Sequence, residues 1–435
     1  MERYSSYKDS NVSWIGMIPE HWGTKQLRSF LTLFTEKGHG DSQLLSVTRE
    51  QGVIERDKED KEENHNFVPD DLSGYKYIEK GDFAINKMKA WQGSYAVSDY
   101  CGIVSPAYFT CKLKGVNKEF FSRAIRSKAY VPFFTQYSKG IRVGQWDLNP
   151  NALKSIPFFL PPLAEQEKIV SYLESKTSKI DAYVADKEKE IQLLQELKQK
   201  TIAEAVTKGL NPNVKMKDCS ISWIGMIPEH WEMRKLSQVS YEHFISNKTV
   251  HHQKLLSLSY GRIIRKDINK TDGLLPASFD TYQIVENGNI VLRLTDLQND
   301  QKSLRVGLVK EEGIVTSAYV CLGVYDSMIP AYLYNTLHSY DIKKLFYSMG
   351  GGIRQGLNWQ GLKKIDVPLP PLDEQQTIVF YIEKKCQKID TLITELQAEI
   401  EHLKEYKQRL IADVVTGQVN VQNEILIIES LCLRT

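Results

Sequence analysis

No stretch of this 435-residue chain approaches the roughly 20 consecutive apolar residues that a membrane-spanning helix needs. The Met-Glu-Arg-Tyr start also lacks the apolar core of a secretory leader, so a cytoplasmic protein with no membrane partner is expected. Cysteine is scarce. The six residues (Cys101, Cys111, Cys219, Cys321, Cys386 and Cys432) form no Cys-x-x-Cys pair and have no histidine at ligand spacing. This pattern argues against a disulfide scaffold and the common zinc motifs, and favours reduced structural thiols.

Signatures of catalysis are missing as well. There is no G-x-x-x-x-G-K-[ST] phosphate loop, and Gly350-Gly351-Gly352 does not open a G-x-G-x-x-G fingerprint. An amino-methyltransferase would need an Asn-Pro-Pro-aromatic tetrad. Asn149-Pro150-Asn151-Ala152 lacks the second proline and the aromatic, and reads as a turn. Acid-x-lysine triplets such as Glu59-Asp60-Lys61 follow no Pro-Asp at nuclease-like spacing. His21 and His230 stand beside tryptophans, where packing or capping is the expected role. No covalent step and no bound metal or cofactor is expected of the chain itself.

What the chain does have is a repeat. SWIGMIPEHW runs from Ser13 to Trp22 and returns unchanged from Ser222 to Trp231, an offset of 209 residues. At the same offset, PPLAEQEKIVSYLESKTSKID (Pro161 to Asp181) answers PPLDEQQTIVFYIEKKCQKID (Pro370 to Asp390). Between these blocks the halves have diverged almost beyond alignment. The net charge of +2 divides unevenly: residues 23–160 hold 20 Lys/Arg against 16 Asp/Glu, and residues 232–369 hold 17 against 13. Residues 163–209 and 372–420 come to −1 and −3. Basic variable inserts on acidic connectors suit a polyanion held by the inserts.

The connectors read as helices. Pro161-Pro162 and Pro370-Pro371 fix the entry, Glu165 and Asp373-Glu374 favour the helix dipole, and Gly209 and Gly417 suit the exits. About 45 uninterrupted residues give rods of roughly 65 Å. Ile382, Ile389, Ile393, Leu396, Ile400, Leu403, Leu410 and Val414 keep a coiled-coil spacing, as do Leu173, Ile180, Val184, Ile191 and Leu194. Lys198 and Lys407 fall on the seam. Each can fix register or let its stem reach the edge. One apolar stripe per helix implies that the two helices pair.

The inserts read as mixed α/β. Runs at 82–86, 103–111, 290–294 and 314–322 look like strands. GIVSPAY (Gly102 to Tyr108) answers GIVTSAY (Gly313 to Tyr319), and QLLSV (Gln43 to Val47) answers KLLSL (Lys254 to Leu258). Candidate nucleic-acid residues lie at corresponding places. The run Asn86 to Gly93 carries Lys87, Lys89, Trp91 and Gln92, and Arg293 to Asn299 carries Arg293 and Gln298. A second pair, Lys139 to Trp146 and Gly352 to Trp359, carries Arg142 and Gln145, then Arg354, Gln355 and Asn358. Arginine and lysine suit phosphates or guanine, amides suit adenine, and glycines allow close approach.

These blocks resemble the specificity subunit of type I restriction–modification enzymes. W-I-G-x-I-P-E-H-W and P-P-L-x-E-Q, each present twice, carry the resemblance, which covers residues 1 to about 420. It implies a mixed α/β chain with an internal pseudo-twofold repeat. Two target recognition domains, 23–160 and 232–369, would be joined by spacer helices at 161–209 and 370–422 forming an antiparallel coiled coil. Lead-ins would occupy 1–22 and 210–231, and 423–435 would be an added tail. Double-stranded DNA would be read as a bipartite, asymmetric target. Two modification subunits, bringing S-adenosylmethionine, and restriction subunits, using ATP and Mg, would be the protein partners. A stand-alone methyltransferase or nuclease and a purely structural coiled-coil adaptor are the competing readings. The first lacks its motifs, and the second has no need of two divergent basic inserts.

Overall fold

The computed structural model of the chain describes residues 2–57, 69–140, 146–248, 254–266, 278–297, 304–349 and 356–422. Its contacts group into two units, Met1–Lys187 with the chain from Ala398 onward, and Glu188–Gln397. The division cuts both long helices, Leu163–Lys208 and Leu372–Val415. Each unit therefore owns one lead-in, one insert, the start of one helix and the end of the other. The linear reading set each helix apart as its own segment. The grouping differs because a long amphipathic helix is held by what it packs on. Ile169 and Leu173 join the core of the first unit, whereas Ile202 and Val206 join that of the second.

The helix boundaries follow the sequence signals. Glu165 and Gln166 donate their amides back to Pro162 O, and Gln375 donates to Pro371 O. Gly209 and Gly417 end the helices at φ of 71° and 74°, a conformation that costs glycine little. On the second helix Ile382, Ile389, Leu396, Ile400, Leu410 and Val414 are buried, with Ile393 and Leu403 half-buried. The seam lysines do more than reach the edge. Lys198 Nζ lies 2.6 Å from Asp390 Oδ1 in the second unit, and Lys407 Nζ lies 2.6 Å from Asp181 Oδ1 in the first. Both members are displaced by 209 residues, so one bond is made twice. In the first unit Lys187 also meets Glu399 at 3.4 Å. In the second, Ile202 and Val206 share a cluster with Ile378 and Ile382. Rising numbers on one helix meet falling numbers on the other within each unit, so the packing is antiparallel.

The repeated decapeptide is a clamp on the helix start. In the first unit Glu165 accepts from Tyr4 Oη (2.6 Å), Trp22 Nε1 (3.0 Å) and His21 Nε2 (2.7 Å). In the second, Glu374 accepts from Trp231 Nε1 (3.0 Å) and His230 Nε2 (2.8 Å). The next residue ties the helix to the insert. Gln166 Oε1 accepts from Asn117 N, and Gln375 Oε1 from Ile329 N. Both amides also donate to the proline carbonyl five residues back. The Glu-Gln dipeptide thus joins lead-in, helix and insert, and the two histidines are structural hydrogen-bonding groups.

Each insert is closed by its own ends. Gly23–Gln26 pairs antiparallel with Pro157–Leu160, and Glu232–Lys235 with Asp366–Leu369, in the same register. Between them the first unit holds a four-stranded antiparallel sheet in the order Leu31–Phe34, Phe109–Leu113, Phe83–Ile85, Tyr95–Val97. The second repeats it as Ser240–Glu242, Val320–Val324, Ile290–Leu292, Val306–Leu308. The runs read as single strands at 103–111 and 314–322 each break in two. The peptide turns where Tyr108 N donates to Ser105 O, and where Tyr319 N donates to Thr316 O. Pro106, without an amide hydrogen, cannot continue the first ladder. The two weak correspondences prove to be one contact, since Leu44 bridges Ile103 as Leu255 bridges Ile314.

The layers match while their filling differs. Phe83, Phe120, Phe121, Phe158 and Phe159 are buried in the first unit, with edge-on pairs such as Phe83–Phe121 at 5.2 Å. Ile290, Tyr332, Leu333 and Val367 serve the second. A core tolerates such exchanges when volume is repacked together, which is why the inserts diverged while the fold stayed. The described cysteines are free. Burial pushes the Cys111 and Cys321 thiols, on equivalent strands, up to about 12, as suits inert core residues. Among the described residues no helix is long and apolar enough to cross a membrane.

Candidate nucleic-acid interface

In the first unit the strand Phe83–Ile85 runs into the loop that begins at Asn86. The Asn86 amide donates to Tyr108 Oη at 3.3 Å, and Lys89 N returns to Asn86 O at 3.0 Å. A short turn, Ala90–Gln92, follows and ends at Gly93 with φ of 98°. Trp91 is half-buried, its Nε1 donating to Met88 O at 3.2 Å, and its ring lies 5.3 Å from that of Trp146. Lys87 pairs with Asp147 at 3.2 Å, so part of its charge is neutralised. Lys89 and Gln92 are exposed. Four candidates from one motif thus sort by burial: Trp91 builds the loop, Lys87 ties it down, and Lys89 and Gln92 face solvent.

In each insert one repeated bond holds the first candidate loop to the chain at the second, just past its end in the first unit and within it in the second. Leu148 N donates to Lys87 O at 3.1 Å, and Leu357 N donates to Leu294 O at 2.9 Å. Leu148 and Leu357 are 209 residues apart, and Ala90 and Leu297 are both buried beneath their loops. Over its described residues, Arg293 to Leu297, the second loop therefore matches Asn86 to Gly93 at the level of the backbone, while Gln298 and Asn299 lie outside them. The pairing of Trp146 with Trp359 does not hold. The residue equivalent to Asn358 is Asn149. Each accepts from an amide three residues on, Gly361 N at 3.2 Å and Ala152 N at 2.8 Å, and each starts a short helix. Trp146 precedes that cap, whereas Trp359 follows its own. The shared Leu-Asn-x-x-x-Leu-Lys-x-Ile at 148–156 and 357–365 was the signal for the correct register, hidden by the Gly-Ile-Arg-x-Gly match beside it. Asn149-Pro150, read as a turn, is that helix cap.

Arg293 is half-buried at the start of its loop, its amide donating to Arg305 O at 2.9 Å. Arg305 is the residue that the sequence did not flag. It is fully buried, and its guanidinium donates to the carbonyls of Arg293 (3.1 Å), Thr295 (2.8 Å) and Asp296 (3.2 Å). Its Nε meets Tyr347 Oη at 3.0 Å, and its amide meets buried Asp341 Oδ2 at 2.5 Å. A charge in the interior needs such partners, and here they fix the loop in which Asp296 takes a left-handed φ of 57°. A lone arginine inside a hydrophobic run gives no sequence pattern for this role.

The loops of the second unit meet over a groove of about 440 Å³, lined among others by Glu242, Phe244, Thr295, Leu357, Asn358 and Trp359. Arg142, Gln145, Gln298, Arg354, Gln355 and the tail 423–435 lie outside the described residues. Among the described residues no group of three or more His, Cys, Asp or Glu side chains is placed to hold a metal ion.

Residues 228–402 match the family described as type I restriction modification DNA specificity domain. The protein assigned as the MjaX specificity subunit of Methanocaldococcus jannaschii is 25% identical over 448 residues, 96% of this chain and 98% of that relative. The type I restriction enzyme MjaVIII specificity subunit of the same organism is 25% identical over 353 residues, 77% of this chain and 79% of its own. A chain from a solved type I R-M system superposes with a TM-score of 0.64 at 16% identity, over 92% of this chain and 99% of that one. This last likeness is one of fold.

Proposed function

Because the chain belongs to the specificity subunits of type I restriction–modification enzymes, we propose that residues 23–160 and 232–369 are its two target recognition domains, each reading one part of a split, asymmetric sequence in double-stranded DNA. The chain is the DNA-recognition component of such an enzyme, has no catalysis of its own, and associates with other subunits of the system. Two modification subunits and the restriction subunits are the partners we assign to it. S-adenosylmethionine, ATP and Mg are assigned to those subunits and no cofactor to this chain.

The observation that carries the two-reader assignment is the duplicated bond, Leu148 N to Lys87 O and Leu357 N to Leu294 O. One backbone frame presents two loops of different chemistry: Lys87, Lys89, Trp91 and Gln92 in one, Arg293 and Thr295 in the other. Different side chains on an identical frame give two half-targets that need not be related. Phosphate contacts by groups such as Lys89 supply affinity, and base contacts supply the sequence.

An exchange of inserts tests this. The paired ends Gly23–Gln26 and Pro157–Leu160 mark the splice points. Replacing 23–160 with the insert of a relative, in the complex with its modification subunits, should change one half of the methylated sequence and leave the other. A target changed in both halves, or in neither, would overturn the assignment.

A further inference from the structure

The groove in the second unit differs from an ordinary phosphate-binding surface in the charge it carries. Glu242 lies at its wall, exposed at the end of Ser240–Glu242, and no donor or cation among the described residues pairs with its carboxylate. Beside it Phe244 is 60% exposed, a large apolar face left in water. Across the groove stand Asn358 and Trp359 from the second candidate segment and Thr295 from the first. The Asn358 oxygen is occupied by Gly361 N, which leaves its amide hydrogens as the donors. His243 is held by Ile284 O, so the wall is fixed.

Strand register shows that the acid is peculiar to this unit. Glu242 pairs with Leu322, while the equivalent pair in the first unit is Leu33 with Cys111. Leu33 thus occupies the place of Glu242. A carboxylate repels the DNA backbone, so in a DNA-facing groove its productive partner is a hydrogen-bond donor on a base. In the major groove only cytosine N4 and adenine N6 provide one. The exposed Phe244 ring offers an apolar surface to the same base or its neighbour.

Resting on the reading of 232–369 as a recognition domain, we propose that this groove receives the amino-bearing edge of one base pair. Glu242 accepts from the exocyclic amino group and fixes one position of the half-target. The Asn358 amide donates to an adjoining base acceptor. The first unit, with Leu33 in that place, reads its half by other contacts.

The test uses the chain assembled with its modification subunits on a library of duplexes with randomised bases, read by the methylated sequences. The unaltered complex should methylate one split sequence carrying cytosine or adenine at a fixed place in one half. Glu242→Leu, which installs the residue of the first unit, should lower the preference at that one position by on the order of 10- to 100-fold. Glu242→Gln, which keeps an acceptor, should retain part of it. Whether cytosine or adenine was preferred in the unaltered complex identifies the base. If the unaltered complex methylates no split sequence, the parent reading fails. If it does, and both variants keep the same preference at every position, the groove proposal alone fails. A change confined to the other half-target would overturn it equally. Should Glu242→Leu give no methylation at all, Glu242→Gln decides.

Discussion

Glu165 and Glu374 make the same clamp in different surroundings, and that difference sets a measurable asymmetry. The Glu165 side chain is 5% exposed and that of Glu374 26%. Replacing Glu165 by alanine strands the N–H of Trp22, which is fully buried, and the hydroxyl of buried Tyr4. Burial and the neighbouring carboxylate push the Tyr4 pKa up, so it remains a proton donor throughout the accessible range. A buried donor without a partner costs about 1–3 kcal/mol. His21, 43% exposed, turns to water at little cost. Glu165→Ala should therefore destabilise the first unit locally by about 2–5 kcal/mol. Glu374→Ala strands only the Trp231 N–H, next to a site that water reaches, and should cost about 1–2 kcal/mol. Two units sharing helices need not unfold in one step, so the suitable assay is hydrogen exchange followed segment by segment. Protection across 4–22 should fall about 30-fold or more in Glu165→Ala. Across 213–231 it should fall about 5- to 30-fold in Glu374→Ala. Equal losses in the two variants would refute the argument that buried donors decide the cost, and no loss in either would refute the clamp.

Arg305→Met removes the guanidinium bonds to the carbonyls of Arg293, Thr295 and Asp296 and should loosen that loop, at about 1–3 kcal/mol for the acceptors left unpaired. In the enzyme assembled with its partner subunits, sequence preference should blur in the half-target we propose for 232–369 and stay sharp in the other, as methylome sequencing would show. The pair Lys198–Asp390, with side chains 25% and 45% exposed, should couple by about 0.2–1 kcal/mol in a double-mutant cycle, less at high salt. A coupling unaffected by salt would contradict its electrostatic origin. Burial, with Lys198 nearby, pulls the His338 pKa down to about 4 from 6.5. The unfolded chain then takes up the proton first, so stability is full above pH 6.5 and falls as pH drops toward 4. The loss is at most about 3 kcal/mol and nearer 1–2 for a half-buried ring. His338→Gln should flatten that part of the pH–stability curve in urea titrations, and an unchanged slope would show that other groups carry it.

Much is legible in the sequence because it is written twice or periodically. The helix ends follow from proline, acid and glycine signals that act within a turn, and the seam from a spacing that any straight helix displays. The repeat announced two equivalent units, and divergent basic inserts on an unchanged frame pointed to recognition. Where contacts between distant residues decide, the sequence was silent or misleading. Trp146 and Trp359 looked equivalent because a short Gly-Ile-Arg-x-Gly match outweighed the fainter pattern that sets strand register. Arg305 gave no signal, since its role lies in which carbonyls the chain folds around it. The grouping of the chain was also a tertiary decision. A helix belongs energetically to the surfaces it buries against, so Leu163–Lys208 is divided between units though its sequence is continuous. The groove at Glu242 exists only because a strand end and two loops, spread over more than a hundred residues of chain, close on one another. Local chemistry is encoded locally. The sequence by itself determined the frame, and tertiary packing decided what that frame presents.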